Sequence, residues 1–167
     1  TAFTNLGKGY AGPIPVPVII FAIVALISWF FLAKTQFGRY IYAIGGNEKA
    51  ALVSGLRVKQ LKFLSYVING MTAALAGILL AARVAVGSPT AGESYDLLAI
   101  TAVVVGGTSN AGGTGGILPS IIGVFIVTVM NNGMDLLGIS GYYQKIVTGV
   151  VVLLAVIIDR NNVNRNH

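Results

Sequence analysis

Cysteine is absent, and histidine occurs once, at the last position, His167. The first absence removes disulfide frameworks and thiolate metal sites. The second leaves no Ser/His/Asp set and no group of convergent ligands that could hold a metal ion, so His167 reads as part of a solvated polar terminus. Charge is scarce as well. Of the 167 residues, 10% are charged, against roughly 25% in an ordinary soluble domain. A soluble chain of this size would need far more charge to cover its surface, so lipid must face most of these side chains. The few carboxylates lie scattered at the borders of apolar stretches and cannot pair as an acid/base couple. The sequence also lacks the Gly-x4-Gly-Lys-Ser/Thr pattern that cradles phosphates. Its densest glycine run, 106–116, has no lysine to meet a phosphate and no acidic residue at Rossmann spacing, and reads as close helix packing plus a tight turn. No covalent chemistry is assigned to this chain.

What the chain has in plenty is apolar sequence, 55% of all residues, arranged in uncharged runs. Residues 17–33 follow Pro13, Pro15 and Pro17, which stiffen the entry and suit a helix start, where missing donors cost nothing. Trp29, Phe30 and Phe31 near the end of that run sit at headgroup depth. Residues 63–82 form twenty uncharged positions closed by Arg83, the clearest span. Within it, Gly70, Ala74, Gly77 and Ala81 set small residues on one face, where another helix can approach closely. The run from Leu97 enters the glycine stretch, which holds six glycines in eleven residues. It cannot continue as a lipid-facing helix, so the element over 97–112 is expected to be short or broken and its end shielded by neighbours or by water. Residues 117–134 and 144–158 complete the set. The fold class expected is an all-α polytopic membrane protein with about five crossings.

Basic residues place the chain in the membrane. Lys34, Arg39, Lys49, Arg57, Lys59 and Lys62, six of the eleven, fall in the connection 34–62. Glu93, Asp96 and Asp135, three of the five acids, fall in connections on the opposite side. Under the positive-inside rule the loop 34–62 and the C-terminus are cytoplasmic. The net charge of +6 forms no arm or aromatic-interleaved face, so nucleic acid is not a partner. Inside the basic loop, Asn47 suits an N-cap, Glu48 complements a helix start and Gly55 a C′ stop. A two-turn helix over 48–54 is expected, with Ala50, Ala51 and Leu52 available to a partner.

Few polar groups lie at membrane depth: Ser65, Asn69, Thr72, Asn131 and Asn132. Such groups face a neighbouring helix or a pathway, and both readings stand for each. Asp96 reads as an N-cap for the run from Leu97. Residues 1–12 form a polar loop with no signal-peptide pattern before the first apolar run, as expected of a piece of a longer polypeptide.

One stretch carries a resemblance. Gly38-Arg39-Tyr40-Ile41-Tyr42-Ala43-Ile44-Gly45-Gly46-Asn47-Glu48-Lys49-Ala50-Ala51 with Ser54-Gly55 resembles the cytoplasmic loop of the ribose-type sugar permeases of ATP-binding-cassette importers. Ala73-Ala74-Leu75-Ala76-Gly77-Ile78, Ala82-Arg83, Thr90-Ala91-Gly92-Glu93-Ser94-Tyr95-Asp96 and Ala102-Val103-Val104-Val105-Gly106-Gly107-Thr108-Ser109 continue it. Gly112-Gly113, Asn131-Asn132-Gly133, Leu136-Leu137-Gly138-Ile139-Ser140 and Tyr142-Tyr143-Gln144 complete it, although Glu93-Ser94-Tyr95-Asp96 departs from the family's usual pattern of a Gly before an acidic-Leu-Asp run. The resemblance implies the C-terminal half of a permease subunit in a bacterial inner membrane, working with a second permease subunit, a sugar-binding protein and a separate ATPase that carries ATP and Mg. No cofactor is expected on this chain. It further implies a coupling element at Gly46, Asn47, Glu48, Ala50, Ala51, Ser54 and Gly55; from the polar groups at membrane depth, Asn69, Asn131 and Asn132 are the pathway candidates. A branched-chain amino-acid permease of the same superfamily is the nearest alternative, and the Gly-Gly-Asn-Glu-Lys-Ala-Ala loop argues against it. An integral-membrane enzyme would need carboxylate or His clusters at membrane depth. A secondary transporter typically shows intramembrane charges, and spans 63–82 and 117–134 have none.

Overall fold

The structure is a computed structural model that describes residues 6–85, 87 and 90–165, and the side chains of these except Ala11 and 158–165. His167, residues 1–5 of the expected polar loop, and Ser88 and Pro89 lie outside the described residues, as do the side chains of the basic tail. A two-residue ribbon, β1 (Tyr10–Ala11) with β2 (Ile14–Pro15), precedes seven helices among the described residues. These are α1 (Val16–Lys34), α2 (Gln36–Gly46), α3 (Glu48–Val53), α4 (Val58–Val84), α5 (Tyr95–Val105), α6 (Ile117–Leu136) and α7 (Gly141–Arg165). Three of them, α1, α4 and α6, are long and apolar enough to cross a membrane, and α5 and the stretch Gly141–Ile157 of α7 are shorter apolar helices. The chain is thus an all-α polytopic membrane protein whose backbone hydrogen bonds close within its own helices, as hydrocarbon requires. It folds as two compact units, one from the stretch up to Ile41 together with Ala50–Glu93, the other from Tyr42–Lys49 together with the chain from Ser94 onward.

In the first unit, residues expected as a plain loop form the antiparallel ribbon, with Tyr10 opposite Pro15 and Ala11 opposite Ile14. The helix α1 starts directly after it with Pro17 in its first turn, and none of its residues is buried. At its end a single residue turns the corner. Thr35 is extended, its hydroxyl donates to the Phe31 carbonyl at 2.5 Å, and the same oxygen accepts from the Gly38 amide at 3.4 Å. That is an N-cap bonded to N3, and it starts α2 where the sequence reading saw only a basic loop. Gly38 fits because a Cβ there would run into the backbone of Leu32. The helix α4 begins at Val58, five residues before the expected span, and ends in left-handed Ala85. Its small-residue face is open: beyond the backbone of α4 itself, no described atom comes within 4 Å of a Cβ built on Gly70 or Gly77.

In the second unit, α5 packs on α6 and α7. The close approach rests on bare backbone. A Cβ on Gly123 of α6 would overlap the Ala102 carbonyl, and one on Gly106 would overlap the Pro119 carbonyl. Thr101, Ala102 and Val104 of α5 are buried there, with Gly123, Val127 and Met134 of α6. The glycines of 106–116 end α5 at Val105 rather than at 112. The Gly107 amide bonds Val104 O at 2.9 Å and the Thr108 amide bonds Val103 O at 3.1 Å, a Schellman closure that needs the positive φ of Gly107. At 11 residues, α5 covers only about 16 Å, roughly half of a hydrocarbon core. Asp96 sits inside the first turn rather than at the cap, because the helix already begins at Tyr95. There it complements the helix dipole.

Gly123→Val is expected to destabilise the α5–α6 pair by about 3 kcal/mol, since neither backbone can relax away without opening the contact. Loss of a monodisperse, cooperatively melting protein in detergent, relative to Val124→Ala, checks it.

Candidate functional site

The helix α3 and its flanks carry the expected coupling residues. Asn47 is the one residue between α2 and α3, and its amide still bonds the Ala43 carbonyl at 3.0 Å as a continuation of α2. Glu48 opens α3. At the other end the Gly55 amide bonds Leu52 O at 3.0 Å and the Leu56 amide bonds Ala51 O at 3.2 Å. With φ +81° at Gly55 this is the C′ stop the sequence suggested, and the Ser54 hydroxyl adds a bond to Ala50 O at 2.9 Å. Gly46, Asn47, Glu48, Ala50, Ser54 and Gly55 are exposed, whereas Ala51 is buried at 5%. The apolar groups that α3 does offer are Leu52, 62% exposed, and Val53, 88% exposed. Val53 was missing from the expected set. Its signal was its place one turn from Glu48–Lys49, on a helix too short to bury every apolar position.

The polar residues at membrane depth divide. The Ser65 hydroxyl donates to Leu61 O at 2.8 Å and that of Thr72 to Ile68 O at 3.1 Å and Asn69 O at 2.9 Å. Both are satisfied inside α4. Asn69 is exposed on α4 in the first unit, and Asn132 is exposed on α6 in the second. Asn131, beside it, differs: its Oδ1 is buried without a hydrogen-bond partner. At the turn after α6, Gln144 Nε2 donates to Asp135 Oδ1 at 2.7 Å and to Ile139 O at 3.0 Å, tying the start of α7 to the end of α6. Among the described residues no three His, Cys, Asp or Glu come together.

The long apolar helices define a class, a multi-span membrane component, and between α2 and α4 it carries the short helix α3 with Leu52 and Val53 exposed. Comparison with known proteins takes this further. The family described as the branched-chain amino acid transport system / permease component matches residues 2–156, and the chain belongs to that family. It is similar to the ribose import permease protein RbsC of Bacillus subtilis, 52% identical over 158 residues that make up 95% of this chain and 49% of that one. RbsC of Escherichia coli K12 is also 52% identical, over 94% of this chain and 49% of its own length. The xylose transport system permease protein XylH of Haemophilus influenzae is 45% identical over 89% of this chain and 40% of its own length. The chain therefore spans about half the length of the curated relatives it matches. No solved structure matches it.

A buried carbonyl without a donor costs about 1–3 kcal/mol. Asn131→Leu, which keeps the branch at Cγ and removes the unpaired carbonyl, is expected to raise the thermal stability of this chain in detergent by about 1 kcal/mol, while Asn132→Leu leaves it unchanged. Melting curves of the two variants beside the parent check it.

Proposed function

We propose that this chain is the C-terminal half of the permease subunit of an ATP-binding-cassette importer for ribose or a related monosaccharide. The observation that carries this reading is the identity of 52% over 95% of the chain to a ribose import permease, a similarity that includes the segment around α3. Xylose permeases follow at 43–45%, so the names of the relatives favour sugar over branched-chain amino acids within the shared family. In this reading the chain contributes part of a transmembrane pathway and catalyses nothing. A second permease subunit completes the pathway, a separate ATPase binds ATP and Mg, and a sugar-binding protein delivers substrate from the other side. The protein lies in a bacterial inner membrane, with α2, α3 and the C-terminus on the cytoplasmic side where the basic residues cluster.

Coupling then falls to α3. A two-turn helix closed at Gly55, with Leu52 and Val53 exposed, suits a groove on the ATPase: its apolar side would be covered on docking and its backbone already satisfied. Gly46, Asn47, Glu48, Ala50, Ala51, Ser54 and Gly55 shape this element rather than bind substrate. Asn69, Asn131 and Asn132 remain the pathway candidates. Of these, Asn131 has the strongest physical case, because its unpaired carbonyl could accept a hydrogen bond from a sugar hydroxyl when the pathway opens.

The full-length permease, reconstituted with its ATPase and binding protein, is expected to take up labelled ribose only when ATP is present. Xylose, galactose and rhamnose compete as related sugars, and leucine does not. Uptake of leucine, or ribose uptake without ATP, would sink this reading. In the same vesicles, Leu52→Glu with Val53→Glu is expected to lower uptake by about tenfold or more by placing charge in a desolvated contact, with insertion into the membrane unchanged.

A further inference from the structure

The end of α2 lies backbone to backbone on the glycine turn between α5 and α6. A Cβ on Gly45 would stand 2.5 Å from the Gly113 amide nitrogen and 3.3 Å from its Cα. A Cβ on Gly112 would stand 2.8 Å from the Gly45 carbonyl oxygen, and one on Gly113 would stand 2.7 Å from Gly46 Cα. One turn back along α2, the Tyr42 hydroxyl donates to the Gly115 carbonyl at 2.8 Å. The turn itself is closed by the Ser109 amide on Thr114 O at 3.1 Å and the Gly112 amide on Ser109 O at 3.2 Å. Its far end is held to α6 by Ser120, which bonds Gly116 O at 2.8 Å and faces the Thr108 hydroxyl at 3.3 Å. Residues Tyr42–Lys49, remote in sequence, belong for this reason to the compact unit that contains α5, α6 and α7.

We infer that this glycine clasp carries movement of the coupling segment into the α5–α6 pair, with Tyr42, Gly45 and Gly113 as positioning residues. The inference rests on the permease reading above and deepens it. A contact between side chains can absorb a displacement by changing rotamer. A contact between two backbones has no such slack, because close-packed interiors transmit strain. Glu48, the first residue of α3, follows Gly46 by two positions, so a shift of α3 reaches Gly45 through a single connecting residue. From there it must either push the turn 109–116 or part the two backbones. Helix propensity points the same way. Glycine costs about 1 kcal/mol relative to Ala at each helical position, and in α2 the contacts at Gly38 and Gly45 offset that cost.

The test uses the full-length permease assembled with its ATPase and binding protein in proteoliposomes, with ribose uptake and ATP hydrolysis read from the same vesicles. Gly45→Ala is expected to keep ATP hydrolysis within about twofold and to lower ribose taken up per ATP by about tenfold. Gly141→Ala, at an exposed glycine that starts α7 with no atom within 4 Å, is the matched control and is expected to behave as the unaltered protein. Tyr42→Phe keeps the ring and removes only the bond to Gly115; it is expected to lower uptake per ATP by about threefold. It decides the matter if Gly45→Ala fails to assemble. An unchanged ratio in Tyr42→Phe, and in Gly45→Ala where that assembles, overturns the clasp while leaving the permease reading intact. Unaltered protein that takes up no ribose with ATP overturns the permease reading and this inference with it.

Discussion

A peptide group in hydrocarbon has no water to bond, and nearly every feature of this chain follows from that constraint. Helices long enough to span satisfy their own amides and carbonyls, so α1 can leave Phe21, Leu26, Phe30 and Phe31 exposed without burying a single residue within this chain. Where a helix ends, its last carbonyls must find donors nearby. The Schellman closure at Gly107 and the second one after α6, where the Ile139 amide bonds Met134 O at 3.0 Å, supply them locally. The glycine turn 106–116 then stays irregular because α2 covers part of it with backbone of its own.

The same scarcity of donors explains how polar side chains behave. Ser65 and Thr72 spend their hydroxyl protons on carbonyls of their own helix, and Thr101 and Thr148 do likewise at Leu97 and Gln144. Each can therefore sit at membrane depth with no partner helix and no substrate. Asn131 has no such local solution, because its side-chain carbonyl needs a donor from outside α6. That contrast separates a residue tolerated in a membrane from one that asks for a partner.

Glycine works in opposite senses along the chain. At Gly55 and Gly107 it supplies a backbone conformation that ends a helix. At Gly123, Gly106 and Gly45 it supplies the absence of a Cβ, which lets two backbones meet. Read one residue at a time, Gly38, Gly45 and Gly46 all argue against a helix over 36–46. Yet Phe37, Tyr40, Ile41 and Ile44 recur at helical spacing there, and Thr35 three positions before Gly38 is an N-cap signal. The close contacts of Gly38 with Leu32 and of Gly45 with Gly113 offset the cost of glycine in that helix. Leu52 and Val53 show a related limit. Both were visibly apolar, but only packing revealed that Ala51 between Ala50 and Leu52 is the buried one.

Composition and run length by themselves determined that this chain lives in lipid, that its long elements are helices, and that α5 must break at the glycines. Those conclusions depend on free energies summed over many residues, which a sequence displays directly. The pattern around Asn47–Gly55 likewise determined a short helix with a glycine stop, because capping is local chemistry. Tertiary structure alone decided that residues 42–46 meet the turn between α5 and α6 at bare glycine backbone, that Val53 stands out while Ala51 is covered, and that the side-chain carbonyl of Asn131 is buried without a partner. Each of these depends on which atoms of distant segments come within a few ångströms, and no local term in the sequence encodes that distance.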